Sequence, residues 1–251
     1  MSFLILYISY LCGMDFLAGQ TLLIDKPKEW SSFDVIRKIR YTIRIKKVGH
    51  AGTLDPLATG LLIVCTGKHT KQINDIQDQE KEYEVAFKIG FTTASYDMEH
   101  PEINPVDAQH ITQEEIKAAM KTFLGEIEQT PPIYSAVKVD GKRAYKAARQ
   151  GKDIKLKSRR IHIYAFEYLK QDAEDPMIHH AHIRCSKGTY IRTLVHDLGQ
   201  VLKVGAYIRE LRRTRIGAYR IEDAWQIDDF AAKYQVPREP KPRPEDKPSK
   251  G

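Results

Sequence analysis

Cysteine is scarce in this 251-residue chain: Cys12, Cys65 and Cys185 are far apart, odd in number, and form no C-x-x-C pair. That excludes a disulfide framework and a cysteine zinc site, and it fits a reducing compartment where each thiol is a small buried hydrophobe. Histidine offers no metal set in its place. His179, His180 and His182 are adjacent, and strand alternation puts His180 and His182 on one face, but no partner cluster lies near, so they read as an exposed strand face. Long apolar runs are missing too. The N-terminal "MSFLILYISYLCG" is too short to span a bilayer and has neither a positive n-region nor a small-residue cleavage site. Met14 opens "MDFLAGQTLLIDKP", which reads as a normal domain start, so residues 1–13 are expected to be an upstream extension or a misassigned start. Acids are outnumbered, 33 against 40 Lys and Arg, for a net charge of +7. Such a surplus suggests a polyanionic partner, with nucleic acid first; a basic protein with no such partner is the other reading.

The length and a 42% hydrophobic content suffice for one large domain or two small ones. "TLLID" reads as a short buried strand broken by Pro27. "SSFDVIRKIRYTIR" reads as a helix, with Ser31 and Asp34 as a capping box and Ile36, Ile39 and Ile43 on one face. "LLIVCTG" is β-branched and apolar enough for a central strand, and "YEVAFKIG" alternates, with Tyr83, Val85, Phe87 and Ile89 on one side. "TQEEIKAAMKTFLG" opens with a second capping box, Thr112 and Glu115, and stops at Gly125; Pro131 and Pro132 end regular structure after it. "IHIYAFEYL" and "HAHIRCS" are strands, and "TYIRTLVHDLGQVL" is an amphipathic helix capped by Thr189. Helices and strands mix without βαβ regularity, which gives an α+β class with a central, largely antiparallel mixed sheet flanked by helices. Residues 14–236 form the domain, and the tail 237–251, with five prolines, is expected to be disordered.

Basic residues cluster twice. Nine Lys and Arg stand between Lys142 and Arg160, among them Lys142, Arg143, Lys146 and Arg149, against the lone acid Asp153, with Tyr134 and Tyr145 in or just before the run. Arg209, Arg212, Arg213 and Arg215 face only Glu210. Clusters of this kind suit a phosphate backbone; for the first, a solvated helix face is the alternative. Between them in interest is "GHAGTLDPLATG", a stretch of small residues holding one acid, Asp55. Asp before Pro suits an Asx turn. The glycines at 49, 52 and 60 also let backbone pass close to a ligand, His50, Lys46 and Lys47 add polar and cationic groups, and the mount between helix and strand is rigid. A reacting carboxylate must be aimed and kept ionised, and Arg192, in the first turn of its helix and two positions after Tyr190, is the candidate partner.

"GHAGTLDPLATGLL" resembles the motif of the TruB family of tRNA pseudouridine synthases. "LLIDKP", "KEYEVAFKIG", "QTPPIYSAVKVDGKRAYKAARQG", "CSKGTYIRTLVHDLG" and "AYIRELRRTRIG" resemble further motifs of the family, in its order, over about residues 17–217. The resemblance implies a pseudouridine synthase fold and isomerisation of the T-loop uridine at tRNA position 55, by a monomeric cytoplasmic enzyme without cofactor or metal. It implies that Asp55 is the catalytic aspartate, that Tyr83 packs on the target base and is a candidate for proton transfer, and that Arg192 pairs with the aspartate. His50 then contacts substrate near the flipped base, Tyr190 and Leu211 are pocket positions, and Lys26 and Pro27 belong to the first motif, which supports the catalytic loop at the substrate site. Lys142, Arg143, Lys146, Arg149, Arg212 and Arg213 are the expected RNA-backbone contacts. Two departures stand out. Glu29 occupies a place where the family commonly has glycine, so the turn after Pro27 is expected to differ, and too few residues follow Gly217 for a C-terminal PUA-like module. A non-catalytic RNA-binding or RNA-folding protein on the same scaffold, and an enzyme of the same chemistry guided to other RNA by a partner, are the alternatives.

Overall fold

The apolar strands foreseen from alternation and β-branching join in one sheet. The structure, a computed structural model, describes residues 14–135, 138–139, 142–143 and 156–236. The N-terminal thirteen residues and the tail from Pro237, each with an expectation above, lie outside them. In chain order the elements are β1 (Thr21–Lys26), α1 (Ser32–Ile43), β2 (Val48–Ala51), β3 (Thr59–Thr66), α2 (Ile73–Asp78), β4 (Lys81–Ile89), α3 (Gln113–Lys121) and β5 (Gly125–Gln129). After these come β6 (Lys138–Val139), β7 (Lys142–Arg143), β8 (Arg159–Gln171), β9 (Ile178–Cys185), α4 (Ile191–Val201), β10 (Ala206–Ile216), β11 (Tyr219–Arg220), β12 (Trp225–Gln226) and α5 (Ile227–Tyr234). The sheet runs β12-β1-β3-β10-β4-β9-β8-β5, with β2 on β3 and β11 on β10, while β6 and β7 pair apart. Pairing is antiparallel except at β1/β12 and β3/β10. No helix among the described residues is long and apolar enough to cross a membrane.

Strand β3 explains its own unbroken apolar run. Leu62 and Val64 pack with Val35, Ile36, Ile39 and Ile43 of α1 and Phe230 of α5, whereas Leu61, Ile63 and Cys65 pack with Ile76 and Ile216. A strand covered on both faces cannot alternate with polar residues. A third cluster packs Tyr83, Val85 and Phe87 of β4 and Ile183 of β9 against Ile116 and Met120 of α3 and Leu194, Val195 and Leu198 of α4. Each such side chain withdrawn from water contributes roughly 1.5–3 kcal/mol before entropy is subtracted. The parallel seam sets Arg213 of β10 beside Gly60 of β3. Gly60 has φ 100°, and a Cβ there would lie 2.3 Å from the Arg213 carbonyl oxygen, so only glycine permits the seam.

Both capping boxes form: Ser31 with Asp34 starts α1, and Thr112 with Glu115 starts α3. Helix α4 departs from expectation. Its N-cap is Tyr190, not Thr189, and has no side-chain cap. Gln129 replaces the cap: its Oε1 accepts from the Tyr190 N–H at 2.8 Å and its Nε2 donates to the Tyr190 carbonyl at 3.0 Å. Thr189 instead donates from Oγ1 to the Ser186 carbonyl. The turn after Pro27 keeps a glycine-like backbone despite its side chain, because Glu29 has φ 68° and its N–H donates to the Pro56 carbonyl at 2.8 Å. A side chain in this region costs about 1–2 kcal/mol, whereas glycine adds roughly 0.5–1 kcal/mol of unfolded-state entropy. Glu29→Gly is therefore expected to leave the thermal midpoint unchanged or raised, and β-branched Glu29→Val to lower it; a clear loss with Gly contradicts the strain.

Candidate active site

The loop of small residues between β2 and β3 is clamped from four directions. Ser32 at the start of α1 donates from Oγ to the Leu54 carbonyl and accepts from the Leu54 N–H at 2.9 Å. Arg213 donates from Nη2 to Gly52 at 3.1 Å and from Nε to Leu61 at 2.8 Å. The Glu29 N–H and the Lys26 ammonium both hold the Pro56 carbonyl, the latter at 3.1 Å. The ends of the stretch are strand: Gly49, His50 and Ala51 pair with Cys65, Val64 and Ile63. The mount is thus stiff because buried polar groups tie its carbonyls down, not because its own residues are stiff.

Asp55 emerges from this loop with 39% of its side chain exposed, and its Oδ2 lies 2.9 Å from Nε of Arg192, whose side chain is 4% exposed. Among the described residues no backbone N–H donates to this carboxylate, so it forms no Asx turn; the turn closes from Ala58 N–H to the Asp55 carbonyl. The guanidinium fork is used elsewhere. Nη1 donates to the Ser95 carbonyl and Nη2 to the Tyr134 carbonyl, each at 2.9 Å, so the pair is one-pronged through Nε rather than bidentate. Asp97 stands 3.6 Å from Nη1 and is fixed by Ser95 Oγ at 2.6 Å and the Glu99 N–H at 3.0 Å. One cation therefore serves two carboxylates. Burial pushes the Asp55 carboxyl above its ordinary range, Arg192 opposes this, and Asp97 adds to it.

Asp55 and Arg192 open on a cleft of about 780 Å³, lined also by Tyr83, Tyr190 and Leu211. Tyr83 is 7% exposed, and burial raises its phenol, against the pull of Arg213 beside it. The Tyr190 ring carries Arg159, whose Cζ lies 4.7 Å from the ring centroid. Arg160 and Lys187 stand at its rim, Lys187 paired with Asp78 at 2.7 Å, and Lys81 lies behind them. Lys81 is buried, and its ammonium, held by the carbonyls of Gln77 and Gln79, is pushed down to about 8, chiefly by burial.

Other predicted positions lie apart from the cleft, except Arg213, which lines it. His50, on β2, is half-buried and not part of the cleft wall; burial lowers its imidazole. Lys26, expected at the substrate site, has no exposed surface and instead braces the loop from behind, donating to Pro27 at 2.9 Å and Trp30 at 2.5 Å as well as to Pro56. Pro27 contributes that carbonyl. Arg213, expected on an RNA phosphate, is 1% exposed and is a loop clamp. Arg212 makes a two-pronged pair with Asp25 at 3.0 and 2.7 Å. Strand pairing beside acidic neighbours has turned this cluster inward: Arg215, too, is held by Glu80 and Glu82. Lys142 and Arg143 are on β7, and Lys146 and Arg149 lie outside the described residues. His180 lies 3.2 Å from Asp172, and His182 lies between Glu82 and Glu167 at 3.6 and 3.7 Å. Ser95, Asp97 and the Tyr134 carbonyl escaped sequence reading, because loop segments far apart in the chain bring them to Arg192 and no periodicity marks them.

Burial makes Lys26 a pH reporter. Its ammonium is pushed down to about 8 from 10.5, chiefly by desolvation, with Asp55 opposing. Between those values the unfolded chain holds a proton that the folded chain has released, so unfolding takes one up and stability rises with pH in that window, by up to about 1.4 kcal/mol per unit. Urea midpoints from about pH 8 to about pH 10 are expected to rise more steeply for the parent than for Lys26→Met; parallel curves contradict it.

Comparison with known proteins places the chain in a family. A family model described as TruB family pseudouridylate synthase, N-terminal domain, matches residues 40–191, and one described as tRNA pseudouridylate synthase B C-terminal domain matches 192–243. The boundary falls inside α4, and β10 beyond it lies between β3 and β4 in the same sheet. The tRNA pseudouridine synthase B of Phocaeicola vulgatus is 47% identical over 223 residues, which cover 86% of this chain and 94% of that protein. That of Flavobacterium johnsoniae is 46% identical over 228 residues, covering 88% and 98%. Among solved structures, a Cbf5–Nop10–Gar1 complex matches with TM-score 0.67 and 29% identity over 88% of this chain; the match spans only 56% of that chain. An H/ACA RNP bound to a substrate RNA containing 2′-deoxyuridine matches with TM-score 0.64 and 26% identity, over 86% of this chain and 53% of its own.

Proposed function

The chain belongs to the TruB family of pseudouridylate synthases, and from that premise we propose that it converts the T-loop uridine at tRNA position 55 to pseudouridine. The single observation that carries the reading is the Asp55 carboxylate held by a buried, locked Arg192 on the wall of a cleft that also contains Tyr83. A protein that only bound RNA gains nothing from fixing a carboxylate where a polyanion must approach, since the charge repels the ligand.

The reaction breaks N1–C1′, turns the uracil and forms C5–C1′. The hydrogen on C5 leaves as a proton and N1 takes one up, so the product is an isomer. Uracil stacked in a folded loop is out of reach, and extruding it costs a few kcal/mol. Stacking on Tyr83 returns roughly 1–3 kcal/mol of that. Ionised Asp55 then acts either as nucleophile or as base on the sugar. Arg192 aims it and keeps it charged, and Asp97 and the carbonyls of Ser95 and Tyr134 fix Arg192. Incubating the purified chain alone with unmodified tRNA transcript and mapping pseudouridine tests the proposal. Product at the T-loop uridine is expected; no product without an added protein, or product only elsewhere, counts against it.

A further inference from the structure

Three of the four arginines of β10 do not carry the surplus positive charge outward, because Arg212, Arg213 and Arg215 are paired or buried. A local surplus lies on α1 and its exit. From Lys28 to Lys47 seven Lys and Arg stand against two acids, Glu29 and Asp34. The face of α1 away from its buried Val35, Ile36, Ile39 and Ile43 presents Phe33, Arg37 and Tyr41, one turn apart, followed by Arg44. Phe33 is 59% and Tyr41 40% exposed. The Arg44 guanidinium lies over the Tyr41 ring, 4.6 Å from its centroid, and Arg40 approaches Phe33 at 6.0 Å. One Nη of Arg44 is buried without a hydrogen-bond partner, and Lys46 and Lys47 beyond it are exposed. Asp34 already holds Arg37 at 2.5 Å, Asp228 holds Lys38 at 3.3 Å, and Arg40 donates to the Val48 carbonyl, so the cations left for a partner are Arg44, Lys46 and Lys47. Through the contact of Glu29 with Pro56, the stripe begins at the catalytic loop. From there it extends roughly 18 Å along the helix.

We propose that this stripe is a second RNA-contact surface, which takes tRNA phosphate backbone and a stacked base lying outside the arm whose loop enters the cleft. The proposal rests on the tRNA reading above. Exposed rings between cations match a polyanion with stacking faces; an apolar protein partner would leave the cations unneutralised. Two variants test it: Arg44→Gln with Lys46→Gln and Lys47→Gln, and Phe33→Ser with Tyr41→Ser, each checked for an unchanged thermal midpoint. Kd is measured for whole tRNA transcript and for an isolated T-arm hairpin across salt concentrations. The charge variant is expected to weaken whole-tRNA binding about tenfold and to reduce the slope of log Kd against log salt by about 2. The ring variant is expected to weaken it about fivefold with the slope unchanged. Hairpin binding stays constant in both. Unchanged whole-tRNA binding overturns the proposal, and so does an equal loss with the hairpin. Pseudouridine formed in the same mixtures is scored separately: loss of product with this binding pattern intact counts against the catalytic reading alone.

Discussion

Asp55→Asn is expected to lower turnover by at least about 10⁴-fold while tRNA binding holds or tightens. The carboxamide has the size and shape of the carboxylate, so the loop clamps of Lys26, Ser32 and Arg213 are untouched. What disappears is the one charge that can attack the sugar or take its proton. Removing a negative charge from a cleft that receives a polyanion cannot weaken binding electrostatically. Release of tritium from tRNA carrying 5-tritiated uridine reads the chemical step, and equilibrium binding reads the rest. Turnover within tenfold of the parent would remove Asp55 from the chemistry.

Arg192→Lys follows, with an expected loss in kcat on the order of 10²–10³-fold. An ammonium keeps the charge but lacks the planar fork, so it cannot hold the Ser95 and Tyr134 carbonyls and still meet Asp55 from the side. The same variant moves the acid limb of the kcat profile. Asp55 is active when ionised, its carboxyl already sits above the ordinary range through burial, and Arg192 is the main opposing influence. Weakening that influence raises the pH below which activity falls. Asp97→Asn is expected to move the limb the other way, because the Asp97 charge pushes the Asp55 carboxyl up. Limbs that stay put in both variants contradict the shared-cation arrangement.

What could be read without the structure follows the range of the physical signal. Caps and periodicity are local, so α1 and α3 with their capping boxes and the alternating β4 were legible. Segments with weak patterns were not: "GEIEQ" is strand β5, and "AWQIDDFAAKY" supplies β12 and α5. Asp55, Tyr83 and Arg192 were legible as types in motifs, and the fold brings all three to one cleft. The direction of an arginine was not. Arg213 and Arg212 looked like phosphate ligands because sequence shows charge without showing which acids and carbonyls a strand register delivers to it. Asp97 left no mark because its importance lies wholly in a contact 95 residues away, at Arg192.

The account centres on an extruded uridine held between Tyr83 and the Asp55 carboxylate. A crystal structure of the Asp55→Asn protein with a T-arm hairpin tests this most directly. The target uracil is expected out of the loop and stacked on the Tyr83 ring, with the residue-55 side chain about 3–3.5 Å from C1′ and the Arg192 contacts retained. A target base still stacked within its loop, or bound at a distance from Tyr83 and residue 55, would contradict it.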